Sequence, residues 1–114
     1  MNIQDIVESL GLAVLTSAGS PDAEVTGGYA SDLLSDVLAR GRAGNLWITM
    51  QTHVNIVAVA SLKDLAAIIL VNGRAPDSET LAKARQEKVK ILASQMTAFE
   101  LAGRLYQLGI RGGG

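Results

Sequence analysis

The sequence contains no cysteine, a single histidine and few aromatic residues, and these absences exclude several kinds of site. Without cysteine the chain has no disulfide scaffold, no thiolate nucleophile and no metal site built on sulfur. The one histidine, His53, has no cluster of other metal-ligating residues around it, so we predict no metal site and no cofactor. A chain without cysteine is also suited to a reducing compartment, and we expect it to be cytoplasmic.

Neither the charge nor the hydrophobic pattern indicates nucleic acid or a membrane as a partner. Ten basic and eleven acidic side chains give a net charge of -1, which exerts no long-range attraction on a phosphate backbone or an anionic membrane surface. The longest apolar tract, residues 54–71, is interrupted by Asn55, Ser61, Lys63 and Asp64, which are costly in a lipid core. The first residues lack the basic and apolar stretches of a secretion signal.

The length and composition are those of one domain. A chain of 114 residues, 48% of them hydrophobic, can form a single core but not two. We predict one α/β domain over residues 1–110 and a flexible glycine-rich tail over residues 111–114.

Alternating short apolar runs and helical patterns predict the architecture. The apolar runs predict strands at 12–16, 23–26, 46–50, 65–71 and 89–93. Spacings of three and four predict helices that begin after Asn2, Ser31, Gln51, Asp77 and Thr97. The basic residues of the fourth helix and its exit are typical of a solvated face: Lys83, Arg85, Lys88 and Lys90. The pattern predicts a three-layer α/β domain, with a mainly parallel central sheet flanked by helices.

Polar residues follow the predicted strands and are the candidates for ligand binding. In an open parallel sheet the loops after the strands gather at the carboxyl edge, where ligands bind. Two of these loops lead into helix N-termini, whose free amides accept phosphate or carboxylate groups. The candidate ligand-binding residues are Gly27, Gly28, Tyr29, Ser31, Gln51, Thr52, His53, Asn55, Asn72 and Gly73.

Structural interpretations of the same residues stay open. Gly27 and Gly28 are also typical of a tight turn after a strand, and His53 of a capping or interface residue. The amides of Gln51 and Asn55 recognise a ligand or a backbone equally well. Arg74 and Arg111 could act as anion clamps, but isolated arginines beside loops are usually solvated.

The motifs of the common phosphate-transfer and serine-hydrolase enzymes are absent. No glycine precedes a Lys-Ser or Lys-Thr pair, and no Gly-x-Ser-x-Gly elbow occurs. We therefore assign no catalytic residue.

Two stretches of the sequence resemble the DRTGG domain family. They are residues 27–35, with the sequence GGYASDLLS, and residues 47–60, with the sequence WITMQTHVNIVAVA, and the similarity continues through IILVNG at 68–73. The chain is similar in particular to short stand-alone members, often labelled HPr-kinase-like and encoded near iron-only hydrogenase components. Other members accompany CBS domain pairs, including those of regulated pyrophosphatases. The resemblance implies a regulatory or dimerising module without kinase activity, because the similarity to HPr kinase concerns its non-catalytic N-terminal domain.

The two motifs that give the family its name are altered in this sequence. Residues 51–53 are Gln-Thr-His where the family has an Asp-Arg pair, and residues 71–73 are Val-Asn-Gly where it has Thr-Gly-Gly. The change removes the charge pair, so a ligand bound through that pair does not carry over to this chain.

Three functions follow from the sequence. The first is a non-catalytic regulatory or ligand-sensing module that forms a homodimer and binds a small anionic or nucleotide-like ligand. The second is a ligand-free interaction scaffold for a metabolic or hydrogenase-related complex, because a small domain this rich in aliphatic residues is expected to hide a face in an interface. The third is a phosphotransferase-like enzyme, with His53 as general base beside Ser31 or Thr52.

Overall fold

The computed structural model describes residues 1–16, 19–20 and 22–112 of the chain. Within these residues, strands and helices alternate to form a five-stranded sheet covered by helices on both faces. The predicted α/β class, with three layers and a mainly parallel sheet, is confirmed. No described helix has the length and apolar character needed to cross a membrane.

The sheet has the strand order β1-β5-β4-β3-β2. Strands β2 to β5 are parallel to one another, and β1 pairs antiparallel with β5 at one edge. The strands are β1 (Ala13–Val14), β2 (Gly27–Ala30), β3 (Asn45–Thr49), β4 (Ala67–Leu70) and β5 (Ile91–Ala93). The helices are α1 (Ile3–Leu10), α2 (Leu34–Arg40), α3 (Asn55–Leu62), α4 (Ser78–Glu87) and α5 (Ala98–Gln107).

The two central strands, β3 and β4, are buried along their whole length. Because side chains of a strand alternate between its faces, each of these strands contributes to two cores. Leu46 and Ile69 pack with α1 and α5 on one face, and Trp47 and Ile68 pack with α2, α3 and α4 on the other. The indole Nε1 of Trp47 donates to the Ser31 carbonyl oxygen at 2.8 Å, so its one polar atom is satisfied inside the core.

Local capping signals determine where the first and last helices begin. Asn2 and Asp5 form a reciprocal capping box, and Gly11 ends α1 in the left-handed conformation with φ of 62°. At α5 the Thr97 hydroxyl accepts from the Glu100 amide at 3.2 Å. The sequence pattern of Thr97 and Glu100 predicts a reciprocal capping box here, and this prediction is wrong in its second half, because the Glu100 carboxylate accepts from Arg104 Nε instead.

The prediction for the second strand is wrong in position. The strand is not 23–26 but Gly27–Ala30, so Gly27 and Gly28 begin β2 and do not form a loop after it. Glycine is poorly suited to strands, and the pair therefore indicated a turn in the sequence. Distant contacts hold this segment in the sheet, because Gly27 and Gly28 pair with Asn45 and Leu46 of β3 and the Gly28 amide donates to the Arg111 carbonyl oxygen at 3.0 Å.

Residues 23–26 lie beside the start of α1 instead of in the sheet. The Ile3 amide donates to the Ala23 carbonyl oxygen at 3.2 Å, and the Val25 amide donates to the Met1 carbonyl oxygen at 3.0 Å. The first predicted strand, 12–16, is also shorter in the structure, since β1 contains only Ala13 and Val14.

The residues after α5 return to the edge of the sheet. The Arg111 guanidinium lies 3.9 Å from the centre of the Tyr106 ring, and Gly112 forms a bridge with Gly28 of β2. Gly113 and Gly114 lie outside the described residues. A flexible tail over 111–114 stays a prediction, as does the domain boundary at residue 110.

A buried threonine attaches the edge segment after β1 to the start of β5. Thr16 is 2% exposed, and its hydroxyl donates to the Val89 carbonyl oxygen at 2.9 Å and accepts from the Ile91 amide at 3.0 Å. The isosteric change Thr16→Val should lower the free energy of unfolding by about 1–3 kcal/mol, because it leaves two buried backbone groups without a partner. Urea unfolding of Ser35→Ala is the control, since it also removes a hydroxyl group, and Ser35 is exposed on α2. Equal losses in the two variants would contradict this assignment.

A tyrosine–carboxylate hydrogen bond joins β2 to α2. The Tyr29 hydroxyl donates to Asp36 Oδ2 at 2.7 Å. This hydrogen bond, together with burial and the negative charge of Asp36, raises the pKa of Tyr29.

The change Asp36→Asn should lower the pKa of Tyr29 towards the ordinary value, as measured by NMR titration of the tyrosine rings. Because the pKa of Tyr29 is higher in the folded state, its contribution to stability is complete below the ordinary tyrosine pKa of about 10 and is lost as pH rises through the folded-state value. The control is Glu79→Gln, at an exposed position of α4, which should leave the Tyr29 titration unchanged. A Tyr29 titration curve that is the same with and without the Asp36 carboxylate would refute the assignment.

Candidate functional site

The loops that follow β2, β3 and β4 meet at one end of the sheet, which we call the carboxyl edge (residues 31–33, 50–54 and 71–77). Hydrogen bonds join neighbouring loops there. The Gln51 side chain donates to the Asp32 carbonyl oxygen at 2.9 Å, and the Asn72 side chain donates to the sulfur of Met50 at 2.9 Å. The three loops therefore form one continuous surface.

Asp32 links the loop after β2 to the end of β3. Its Oδ1 atom accepts from the Thr49 hydroxyl and from the Met50 amide, each at 2.8 Å. Thr49 is buried, so one end of this network is inside the fold. No described residue donates to Oδ2 of Asp32, and this exposed carboxylate keeps acceptor capacity for a further hydrogen bond.

A shallow depression of about 220 Å³ lies at this surface, lined by Asp32, Met50, Gln51 and Arg74. Arg74 is exposed, and its guanidinium forms no ion pair with any residue in the described part of the chain. Small-molecule sites usually measure roughly 300–1,000 Å³, so the depression would hold one polar part of a ligand and not a whole large one.

The next part of the edge attaches the β3 loop to α4. The Thr52 carbonyl oxygen accepts from the Asp77 amide at 3.2 Å and from the Thr80 hydroxyl at 2.7 Å. His53 Nδ1 lies 3.3 Å from Asp77 Oδ2, and the His53 side chain is 71% exposed. No hydrogen bond joins His53 to the hydroxyl of Ser31 or Thr52 among the described residues, so the arrangement of a general base and its nucleophile is not formed there.

Asn72 and Gly73 make a tight turn after β4. Both have left-handed backbone, with φ of 58° and 65°. The Asn72 amide donates to the Met96 carbonyl oxygen and the Gly73 amide to the Ser94 carbonyl oxygen, each at 2.9 Å. The left-handed backbone favours glycine at position 73, whereas a Cβ atom there would meet only the end of the exposed Gln95 side chain, which can move. The turn places Arg74 at the carboxyl edge.

The structure brings seven of the ten predicted site residues to the carboxyl edge or to the helix N-terminus that follows it. They are Ser31, Gln51, Thr52, His53, Asn55, Asn72 and Gly73. Gly27 and Gly28 lie at the amino end of β2, and Tyr29 faces α2, so these three do not share a surface with the rest. The binding role of all ten stays a prediction.

Sequence reasoning missed Asp32 and Met50 and treated Arg74 as solvated. The signal for Asp32 was its position just after a strand, but that position depends on β2 ending at Ala30. A strand placed four residues too early puts Asp32 inside the following helix. The only sequence signal for Arg74 was its position in a loop. Such a position does not distinguish a solvated arginine from one beside a depression.

Metal binding has no visible basis in residues 1–16, 19–20 and 22–112. No three histidine, aspartate or glutamate side chains there are close enough together to hold an ion.

No protein-family profile matches the chain, and no curated protein matches it. Its fold is similar to the crystal structure of the CBS and DRTGG domains of the regulatory region of Clostridium perfringens pyrophosphatase, complexed with its activator, diadenosine tetraphosphate. The TM-score is 0.68 at 11% sequence identity, and the match covers 93% of this chain and 46% of that one. This chain thus spans about half the length of its structural neighbour. The likeness concerns the fold alone, which is that of part of a regulatory region and agrees with a DRTGG-like domain.

Proposed function

We propose that this chain is a regulatory module of the DRTGG type, which senses a small anionic or nucleotide-like ligand at the carboxyl edge of its sheet. The observation that carries the proposal is the depression in which the Arg74 cation and the Asp32 carboxylate lie together. The regulatory nature of the structural neighbour, and its nucleotide activator, support the same reading.

The side chains of the depression suit the parts of a nucleotide. An arginine binds a phosphate through two parallel hydrogen bonds, and Arg74 has no competing carboxylate among the described residues. Asp32 Oδ2 can accept a hydrogen bond from a sugar hydroxyl, as acidic residues do in nucleotide sites. Gln51 already donates to the Asp32 carbonyl oxygen, which leaves its own amide oxygen to accept from a base.

The same loops offer a route from the ligand to the rest of the molecule. Arg74 follows a turn whose Asn72 amide donates to the Met96 carbonyl oxygen, and Thr97 caps α5 directly afterwards. A ligand that holds Arg74 close to Asp32 would therefore act on the start of α5. Such a coupling between two sites is what a sensing module needs.

One face of α5 supports the proposal that the module forms a homodimer. Phe99 is 89% exposed, and it shares this face with exposed Gly103 and Tyr106, four and seven residues further on. A Cβ atom on Gly103 would have no neighbour within 4 Å, so another helix could approach closely there. About a two-fold axis at Gly103, Phe99 of one copy would pack near Tyr106 of the other, which makes the face self-complementary.

The exposed face of α5 also favours the second candidate function, an interaction scaffold without a ligand. In that case the face would contact a metabolic enzyme or a hydrogenase-related component in place of a second copy. This alternative would be favoured if the chain bound no ligand but still needed Phe99 to associate with its partner. In either case we propose a non-catalytic protein of the cytoplasm.

The ligand proposal predicts that Arg74→Gln weakens nucleotide binding by about 10- to 100-fold, since a charge-assisted hydrogen bond contributes about 1.5–3 kcal/mol. Calorimetry with diadenosine tetraphosphate, AMP and pyrophosphate measures the affinity. Arg42→Gln, an exposed arginine near the opposite end of the sheet, should bind like the unaltered chain. Failure of all three compounds to bind more tightly than millimolar, or equal losses in both variants, would refute the ligand proposal.

The dimer proposal predicts that Phe99→Ser raises the dimer dissociation constant by at least about 10-fold, because large aromatic residues contribute most to interfaces. Sedimentation velocity at micromolar concentration measures this constant. Leu62→Ser is the control, since Leu62 is exposed on α3, across the sheet from α5. A chain that is monomeric at this concentration, or one that Leu62→Ser dissociates as strongly, would rule out a dimer through α5.

A further inference from the structure

A second cavity lies at the opposite end of the sheet, which we call the amino edge (the residues just before β3, β4 and β5). It measures about 310 Å³, within the range of small-molecule sites, and is larger than the depression at the carboxyl edge. Gly44, Ala66 and Lys90 line it from the starts of the three strands. It shares no residue with the carboxyl edge.

Lys90 is the unusual residue of this cavity. It is 7% exposed, although its sequence context indicated a solvated face, and that prediction is wrong. Its carbonyl oxygen accepts from the Ile68 amide at 2.9 Å, so its backbone is held beside β4. The side chain therefore enters the cavity from a rigid position.

The Lys90 ammonium has no counter-ion in the described part of the chain. It forms neither an ion pair nor a side-chain hydrogen bond there. Partial burial of the side chain makes its charged form less favourable and lowers the pKa of Lys90.

The other charged residues around the cavity leave it favourable to an anion. Glu87 lies 3.3 Å from the Lys83 ammonium and has its own counter-ion, and the Glu24 side chain is 71% exposed, so water screens its charge. Asp64 is the remaining acidic residue of the lining, against Lys88 and Lys90. Asp64, Lys88 and Lys90 together carry a net charge of +1.

Two hydroxyl groups complete the lining. Ser20 and Ser61 both border the cavity. The Ser20 oxygen accepts from the Asp22 amide at 3.2 Å, which leaves the hydroxyl proton able to donate. Hydroxyl donors beside a lysine are suited to a carboxylate or a phosphate group.

We propose that the cavity at the amino edge is a second binding site, which takes a small organic anion through its carboxylate or phosphate group with Lys90 as the counter-ion. The bound anion neutralises a charge that the fold leaves unpaired. The site therefore couples ligand binding directly to the stability of the domain.

The probes are inorganic phosphate, glycerol 3-phosphate and succinate, and their binding is measured by amide chemical shifts in NMR spectra. The unaltered chain is compared with Lys90→Met, which keeps the stem of the side chain and removes its charge. We expect shifts at residues 19–20, 60–66 and 87–90, and an at least about 10-fold weaker affinity in Lys90→Met. Phosphate-selective or succinate-selective shifts distinguish the two ligand groups. Arg74→Gln is the control and should bind these probes at the amino edge unchanged, whereas Lys90→Met should leave nucleotide binding at the carboxyl edge unchanged.

Thermal unfolding without added anions provides a second readout that needs no ligand. Because Lys90→Met keeps the apolar stem of the side chain and removes a charge that has no counter-ion among the described residues, we expect its melting temperature to be equal to or higher than that of the unaltered chain. Phosphate or succinate should then raise the melting temperature of the unaltered chain more than that of the variant. A lower melting temperature for Lys90→Met, amide shifts that are absent from the cavity, or equal affinities in the two chains would overturn the proposal.

Discussion

Burial of β3 and β4 on both faces is the constraint on which the rest of this structure depends. Two strands with no polar face must be covered from both sides, so α1 and α5 occupy one face and α2, α3 and α4 the other. Ligand-accessible polar groups are then concentrated at the two ends of the strands. The carboxyl edge and the amino edge are therefore the places where chemistry can occur in this fold.

The two edges differ in the way they would contribute to regulation. At the carboxyl edge Asp32 already holds two loops together, and a ligand on Arg74 would add the third loop, which leads through Met96 to the start of α5. A change caused by a ligand there would reach the exposed face of α5 that contains Phe99. At the amino edge the effect of a ligand would be on stability, since an anion there would neutralise the charge of Lys90, which has no counter-ion among the described residues.

Features set by local sequence were predictable, and features set by distant contacts were not. The cap at Asn2 and the continuous apolar runs of β3 and β4 are local, and the predictions for them are confirmed. The glycines of β2 are held in the sheet by pairing with β3 and by the bond from the Gly28 amide to Arg111, some eighty residues away, and the local sequence alone indicated a turn. Because the strand was predicted four residues too early, Asp32 was not recognised as a residue of the loop after β2. The exposure of Phe99 and the burial of Lys90 likewise depend on neighbours that the local pattern does not contain.

Hydrogen exchange with and without diadenosine tetraphosphate tests most directly whether the carboxyl edge senses a nucleotide. The ligand should slow exchange in residues 31–34, 50–54 and 72–77 and at the start of α5, while the rest of the sheet exchanges as before. Protection that is absent from these loops, or confined to another part of the molecule, would contradict the account.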